Sequence, residues 1–125
     1  MSTATIRDSG DGLVASHVSV TDRCGRVIVD DVSVSARSGR TLVIVGESGA
    51  GKSMLARTLC ALTPSALVAS GAVSLGGETF DLAADQGRLK KQRGGGIVWL
   101  PQDPFTSLAP TLPCGEQISA ARTGR

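Results

Sequence analysis

Eight consecutive residues near the middle of the chain carry the pattern with the clearest chemical meaning. Residues 46–53 read GESGAGKS, which fits the spacing G-x-x-x-x-G-K-[ST] of a P-loop. Glycines in such a loop let backbone N–H groups close around phosphate oxygens, while Lys52 reaches the β and γ phosphates and the Ser53 hydroxyl ligates Mg²⁺. The pattern therefore predicts a nucleoside triphosphate site. Its predicted phosphate-binding residues are Gly46, Glu47, Ser48, Gly49, Ala50, Gly51, Lys52 and Ser53.

The elements on either side of this loop favour a phosphate site over the alternative, a glycine-rich turn that happens to precede Lys-Ser. Residues 41–45 read TLVIV, an unbroken apolar run typical of a strand buried on both faces of a parallel sheet. Beyond the loop, leucines recur at i, i+4 and i+7 from Leu55, so we expect a helix over residues 52–62 that Pro64 ends. Strand, glycine loop and helix in this order are what a phosphate loop needs.

The rest of the chain is predicted to form short strands and helices. Residues 1–12 are polar and are expected to be a flexible leader. From residue 13 to residue 20 apolar and polar residues alternate, which places Val14, Val18 and Val20 on one face of a strand. The further expected elements are strands at 27–29 and 32–34, a turn at 38–39, a hairpin of 73–75 and 79–82 around Gly76-Gly77, a polar exposed helix at 85–93, a buried strand at 97–100 and a helix from 111 onward.

Composition excludes several classes of protein. The chain of 125 residues is the length of one modest domain, and a net charge of +2 with three aromatic residues argues against a nucleic-acid interface. No apolar run is long enough to predict a membrane-spanning helix. The single histidine and the three cysteines lack zinc-ligand spacing. An odd number of cysteines suits a reducing compartment, where we expect each thiol to be a small buried hydrophobe.

A second segment resembles a known family. Residues 97–118, IVWLPQDPFTSLAPTLPCGEQI, resemble the Q-loop segment of the ATP-binding subunits of ABC transporters, and the match is best to peptide and nickel importers. The upstream stretch DDVSVSARSGRTLVIVGESGAGKS is also similar, so the resemblance covers about residues 13–120. The residues that carry it in the second segment are Gln102, Asp103-Pro104, Thr106-Ser107-Leu108 and Gly115-Glu116-Gln117.

The resemblance implies an α/β fold of the ABC-type P-loop NTPase class. Residues 13–125 would be the N-terminal portion of a nucleotide-binding domain, with an antiparallel β subdomain, the P-loop strand and helix, and a Q-loop region at 101–110. The implied cofactors are ATP and Mg²⁺. By the same resemblance, Ser53 and Gln102 hold the metal, and the loop of Gln102 helps position the attacking water and senses a membrane partner.

The resemblance also implies partners and a place in the cell. In that family ATP is hydrolysed between two subunits, where the phosphate loop of one faces the signature motif of the other. A second nucleotide-binding subunit and a transmembrane permease are therefore implied partners. The chain would act in the cytoplasm, at the inner face of the plasma membrane, and energise import of a solute such as a peptide or nickel.

The sequence departs from the family pattern at three places before its last motifs. No aromatic residue that could stack on adenine occurs at positions 21–24, where the guanidinium of Arg23 is the candidate substitute. Pro101 and Ala109 stand where the family tends to have an aromatic residue and an asparagine. We therefore expect weaker nucleotide binding and an altered geometry of the Q-loop region.

The motifs that complete the family's catalytic site are not found before Arg125. The sequence contains no LSGGQ-like signature, no Walker B strand ending in Asp-Glu and no switch histidine. Asp103 does not supply a Walker B carboxylate, since Pro101 and Gln102 separate it from the apolar run, and neither Glu47 nor Glu116 is placed to act as a base. No catalytic residue is assigned, and we expect a truncated domain with exposed apolar edges that is marginally stable, aggregates and does not turn over ATP alone.

Two alternatives to this function remain at the level of the sequence. One is a self-contained small P-loop kinase or NTPase that uses Asp103 as its metal ligand. The other is a non-catalytic remnant or regulatory decoy, which would bind nucleotide without turnover or bind none. Turnover or acceptor phosphorylation by the isolated chain would favour the first of these alternatives.

Overall fold

The computed structural model describes residues 12–103 and 108–123. Most of the expected leader, as well as Pro104, Thr106 and Ser107, lies outside the described residues. In chain order the elements are β1 (Gly12–Asp22), β2 (Val27–Arg37), α1 (Lys52–Leu59), β3 (Leu67–Leu75), β4 (Glu78–Asp81), α2 (Gln86–Lys91) and α3 (Cys114–Thr123).

The strands form one antiparallel sheet in the order β2-β1-β3-β4, which confirms the predicted antiparallel β subdomain. The β3–β4 hairpin turns at Gly76-Gly77, as predicted, with φ values of 58° and 83°. Positive φ at both central residues is what a type I′ turn requires, and glycine adopts it without strain. The expected turn at residues 38–39 is also present, closed by a hydrogen bond from the N–H of Arg40 to the carbonyl of Arg37.

Irregular residues in β1 and β2 change which side chains are buried. His17 has a φ of 53°, and the pairing of β1 shifts around it. Because this bulge inserts an extra residue, Ala15 is buried with Val18 and Val20, so the prediction for Val14 is wrong. In β2, Asp31 has a φ of 44°, yet the strand continues past it, so the two runs expected at 27–29 and 32–34 form one strand.

The core lies between the sheet and the helices. Helix α1 contacts β1 and β2, and α2 contacts β4. The apolar side of α2 consists of Leu89, which is fully buried although the segment is otherwise polar. The buried cluster is made of Ala15, Val18, Val20, Val29, Leu55, Leu59, Ala69, Val73, Phe80, Leu82 and Leu89.

Helix α1 ends at Leu59, earlier than the predicted end at Leu62. Ala61 adopts a left-handed φ of 54°, and its N–H bonds the carbonyl of Thr58 while the N–H of Leu62 bonds that of Arg57. This is the Schellman arrangement of a helix C-terminus, which satisfies the last carbonyls locally. The helix therefore stops before Pro64 could end it.

The predicted strands at residues 41–45 and 97–100 are wrong for this structure. Residues 41–45 form no regular element and are exposed, with Val45 at 84%, and residues 97–100 contribute only an isolated bridge from Ile97 to Arg93. A strand in a parallel sheet needs a hydrogen-bonded neighbour and cover on both faces, which the described residues do not supply to either segment.

The cysteines differ in exposure. Cys60 is buried at the end of α1, as expected, whereas Cys24 and Cys114 are exposed, so the prediction of burial is wrong for these two. Cys24 lies in the tight β1–β2 turn and Cys114 begins α3, where neither side chain reaches the core. Among the described residues, no helix is long and apolar enough to cross a membrane.

Candidate functional site

Residues 46–53 form a compact turn that leads directly into α1. The N–H of Ala50 bonds the carbonyl of Glu47 at 3.2 Å, and the N–H of Leu55 bonds the carbonyl of Gly51 at 2.8 Å as the helix begins. Gly51 is the N-cap and provides no side-chain acceptor, and the first turn of α1 contains no acidic residue. The first N–H groups of α1 are therefore left for an external acceptor at the positive end of the helix dipole.

At Gly51 both the backbone conformation and the close approach of a neighbouring strand require glycine. Its φ is 82°, and a Cβ there would lie 2.5 Å from the carbonyl oxygen of Ile28. That distance is shorter than any real contact of a Cβ atom. The same Cβ would lie 3.2 Å from Cγ2 of Val29, and both Ile28 and Val29 belong to β2. The close approach of Gly51 to β2 thus fixes the start of α1 against the sheet.

The ammonium group of Lys52 is folded into the loop. Its Nζ donates to the carbonyl oxygen of Gly46 at 2.7 Å and to that of Glu47 at 2.5 Å. A lysine ammonium has three donors, so one donor remains after these two bonds. Gly46 through Ala50 are exposed, and an anion therefore has open access to the loop.

The structure places the two predicted metal ligands on different segments and does not join them. Ser53 is exposed in the first turn of α1, and Gln102 is exposed beyond residues 97–100. Within the described residues, no hydrogen bond links Gln102 to the loop of residues 46–53. A hydroxyl and an amide oxygen fit the oxygen donors that Mg²⁺ prefers, so the donor set suits the ion, but their joint role stays a prediction.

The β1–β2 turn, where the family resemblance places an adenine-stacking residue, is held by its own hydrogen bonds. Oδ1 of Asp22 accepts bonds from the N–H groups of Cys24 and Arg26 at 2.8 and 2.9 Å. The guanidinium of Arg23 donates to the carbonyl of Ser65 at 3.2 Å. Arg23 is thus tied to the chain after α1, and its proposed stacking on a base stays a prediction.

Gln117 has a structural role that was not predicted. Its side-chain amide accepts from the N–H of Ala109 at 2.8 Å and donates to the carbonyls of Ala109 and Leu112 at 3.0 and 2.8 Å. These bonds tie the end of the predicted Q-loop region to α3. A glutamine three residues into a helix gives no sequence signal for side-chain bonds to the backbone five and eight residues before it.

The part of the chain that the structure describes shows no cluster for a further metal site. The described residues contain no group of three or more histidine, cysteine, aspartate or glutamate side chains close enough to hold a metal ion. Glu47 and Glu116 are exposed, and Glu116 lies in the first turn of α3. The arrangement can therefore bind an anionic group at the start of α1, but the described residues show no constellation for chemistry on it.

Comparison with protein families and with known sequences extends these observations. The model of the family described as ABC transporter matches residues 29–124 of the chain. The matched range includes the glycine loop, α1 and the Gln102 segment. It also includes β2 from Val29 onward.

Three relatives illustrate the similarity. The uncharacterized ABC transporter ATP-binding protein YejF of Escherichia coli is 42% identical over 74% of this chain and 18% of its own length. The dipeptide transport ATP-binding protein DppD of Bacillus subtilis is 38% identical over 84% of this chain and 32% of its own length. The metal-staphylopine import system ATP-binding protein CntD of Staphylococcus aureus is 31% identical over 85% of this chain and 39% of its own length. The chain thus spans less than half the length of each of these relatives.

Proposed function

Because this chain belongs to the ABC transporter family, we propose that it binds Mg-ATP through residues 46–53 as part of an ATP-binding subunit. The observation that carries this proposal is the uncapped start of α1, where Gly51 offers no side-chain acceptor to the first N–H groups. A phosphate group satisfies such donors and is favoured by the helix dipole.

Lys52 supplies the positive charge for the same phosphates. Two of its three ammonium donors bond the carbonyls of Gly46 and Glu47, and the third is left for a phosphate oxygen. In this arrangement Lys52 has two roles, because it holds the loop closed and also neutralises part of the phosphate charge. Mg²⁺, when bound, neutralises further phosphate charge, with the Ser53 hydroxyl and the Gln102 amide oxygen as its ligands from this chain.

The complete subunit is proposed to energise import of a solute, with peptides the favoured class. The support is that DppD is named for dipeptide transport and that CntD is named for import of metal-staphylopine. A transmembrane permease and a second nucleotide-binding subunit are the proposed partners, and the cytoplasmic face of the membrane is the proposed location. Hydrolysis is not assigned to the isolated chain, because no base is identified in it.

The test compares Mg-ATP binding by the wild-type chain with binding by Lys52→Ala. A fluorescent ATP analogue gives the affinity, and thermal unfolding gives the stabilisation, which should reach about 2.7 kcal/mol at a hundredfold excess over the dissociation constant. Loss of a charged hydrogen-bond donor should weaken binding by about tenfold or more in Lys52→Ala. Lys91→Ala, which removes an exposed lysine of α2, is the matched control and should bind as wild type.

The outcomes separate the alternatives. An unchanged affinity of folded Lys52→Ala for Mg-ATP, or no binding by folded wild type, contradicts the proposal. Steady ATP turnover by the isolated wild-type chain would instead support a self-contained NTPase. Circular dichroism of each variant confirms that a lost signal is not caused by unfolding.

A further inference from the structure

One contact joins helix α1 to the segment that precedes Gln102. The guanidinium carbon of Arg57 lies 5.8 Å from the centre of the Trp99 ring, which is within the range of a cation–π interaction. Trp99 is half-buried, whereas its neighbours Val98 and Leu100 are 72% and 87% exposed. Of these three consecutive residues, Trp99 is the least exposed, and it contacts α1.

Arg57 lies on the same helix as Ser53, so the contact with Trp99 connects to the candidate site. Arg57 follows Ser53 by four residues, and side chains at this spacing lie on the same face of a helix. Burial raises the pKa of the Cys60 thiol at the end of this helix, and the nearby charge of Arg93 partly opposes that rise. Arg93 and Trp99 therefore both lie near the C-terminal half of α1.

Ile97 forms an isolated bridge with Arg93, and its N–H bonds the carbonyl of Gln92 at 3.0 Å, while residues 98–100 belong to no element. The contact between Arg57 and Trp99 ties this segment to the helix that begins at the glycine loop. A planar guanidinium can lie against the indole ring in a way that a lysine ammonium cannot reproduce.

We propose that Arg57 is a positioning residue that holds residues 97–103 against the Ser53 side of α1 through Trp99, so that nucleotide binding at the loop and the placement of Gln102 are coupled. The inference rests on the proposed Mg-ATP site and adds a residue that neither the P-loop pattern nor the Q-loop resemblance includes. It also makes Trp99, the one tryptophan in the sequence, a reporter of site occupancy.

The test combines Trp99 emission with nucleotide affinity in Arg57→Ala, Arg57→Lys and Arg37→Ala. In wild type we expect Mg-ATP to change Trp99 emission and to reduce its quenching by acrylamide. In Arg57→Ala the emission change should be lost, acrylamide quenching should rise about twofold without nucleotide, and affinity for Mg-ATP should fall about threefold, as expected for loss of one exposed cation–π contact. Affinity for ATP without Mg²⁺ should stay as in wild type.

The remaining variants separate positioning from charge. Arg57→Lys keeps the charge but not the flat guanidinium, so it should restore little of the emission change if the ring contact matters. Full restoration would mean a purely electrostatic effect and would overturn the proposal. Arg37→Ala is the control and should behave as wild type. Arg37 is exposed at the end of β2, and Ile28, which Gly51 approaches, lies near the opposite end of that strand.

The failure of this inference can be told apart from failure of the proposed function. If folded wild type does not bind Mg-ATP, both are overturned. If it binds normally but Trp99 emission, quenching and Mg²⁺ dependence are the same in Arg57→Ala, only the coupling is overturned. If Arg57→Ala is unfolded by circular dichroism, the comparison of Arg57→Lys with wild type decides by the same readouts.

Discussion

At the scale of single residues, the candidate site depends on backbone geometry as much as on side-chain chemistry. Lys52 and Ser53 are reactive groups that a sequence pattern can identify. Their placement depends on Gly51, which brings the start of α1 against the carbonyl of Ile28. Since the proposed phosphate donors are backbone N–H groups, a change in that approach should disturb the site without removing any charged group.

Gly51→Ala is therefore expected to destabilise the fold and to weaken nucleotide binding. The left-handed φ of 82° and the Cβ position 2.5 Å from the Ile28 oxygen both oppose alanine. A cost of about 1–3 kcal/mol in the free energy of unfolding is expected for strain of this kind. Chemical denaturation and the binding assay with the fluorescent ATP analogue measure the two effects.

The control for this substitution is Gly87→Ala. Gly87 lies in α2 with open space where its Cβ would be, and its φ is not positive. Alanine there should leave stability unchanged or raise it by up to about 1 kcal/mol, since glycine is a poor helix former. Equal effects of the two substitutions would contradict the role given to Gly51.

At the scale of elements, the sequence predicted those features that depend on local contacts. The Gly76-Gly77 hairpin and the start of α1 were correct, since a two-residue turn and a helix N-terminus are set by neighbouring residues. The end of α1 was missed because Ala61 takes a left-handed conformation that glycine usually adopts. The side of β1 that faces the core was partly missed because the bulge at His17 leaves no composition signal.

The connection between β4 and α2 gives a prediction for acid conditions. Oδ2 of Asp85 accepts the N–H of Asp81 at 3.0 Å, and Oδ1 accepts from the Arg88 guanidinium at 3.2 Å. The hydrogen bond from the Asp81 backbone, followed by the one from Arg88, lowers the pKa of Asp85 below its ordinary value. Stability from this carboxylate is therefore present above its ordinary pKa of about 3.9 and is lost as the pH falls through its lowered folded-state pKa.

In Asp85→Asn this acid-linked part of the stability should disappear. Denaturation between about pH 5 and pH 2 should show a shallower loss of unfolding free energy than in wild type. Asp30→Asn makes the same change of charge at an exposed position of β2 and is the control. A pH profile of Asp85→Asn that parallels both wild type and Asp30→Asn would contradict this assignment.

At the scale of the whole molecule, the largest difference between prediction and structure concerns the apolar segments 41–45 and 97–100. Both have the composition of buried parallel strands, and composition alone cannot tell whether a neighbouring strand is available. In the structure both lie outside the sheet. The family and the phosphate-loop pattern were nevertheless recognisable from motifs, and the antiparallel subdomain followed from the family resemblance.

The exposure of these apolar segments should make the isolated chain associate. Val43 and Val45 are 72% and 84% exposed, and Val98 and Leu100 are 72% and 87% exposed. Exposed apolar segments promote contact between molecules, because association removes their surface from water. We expect the isolated chain to associate increasingly with concentration, as measured by sedimentation velocity across about a hundredfold range.

Replacing Val45 and Leu100 together by serine should reduce this association while changing the unfolding free energy by no more than about 0.5 kcal/mol, since neither side chain belongs to the core. Val68→Ser is the control, because Val68 is 54% exposed but lies within β3. If these two segments mediate the association, the double variant sediments as a smaller species than wild type, and Val68→Ser sediments as wild type does. Equal sedimentation of all three proteins would contradict association through these segments. The loss of Val45 and Leu100 would then have no more effect on association than the loss of one exposed valine in the sheet.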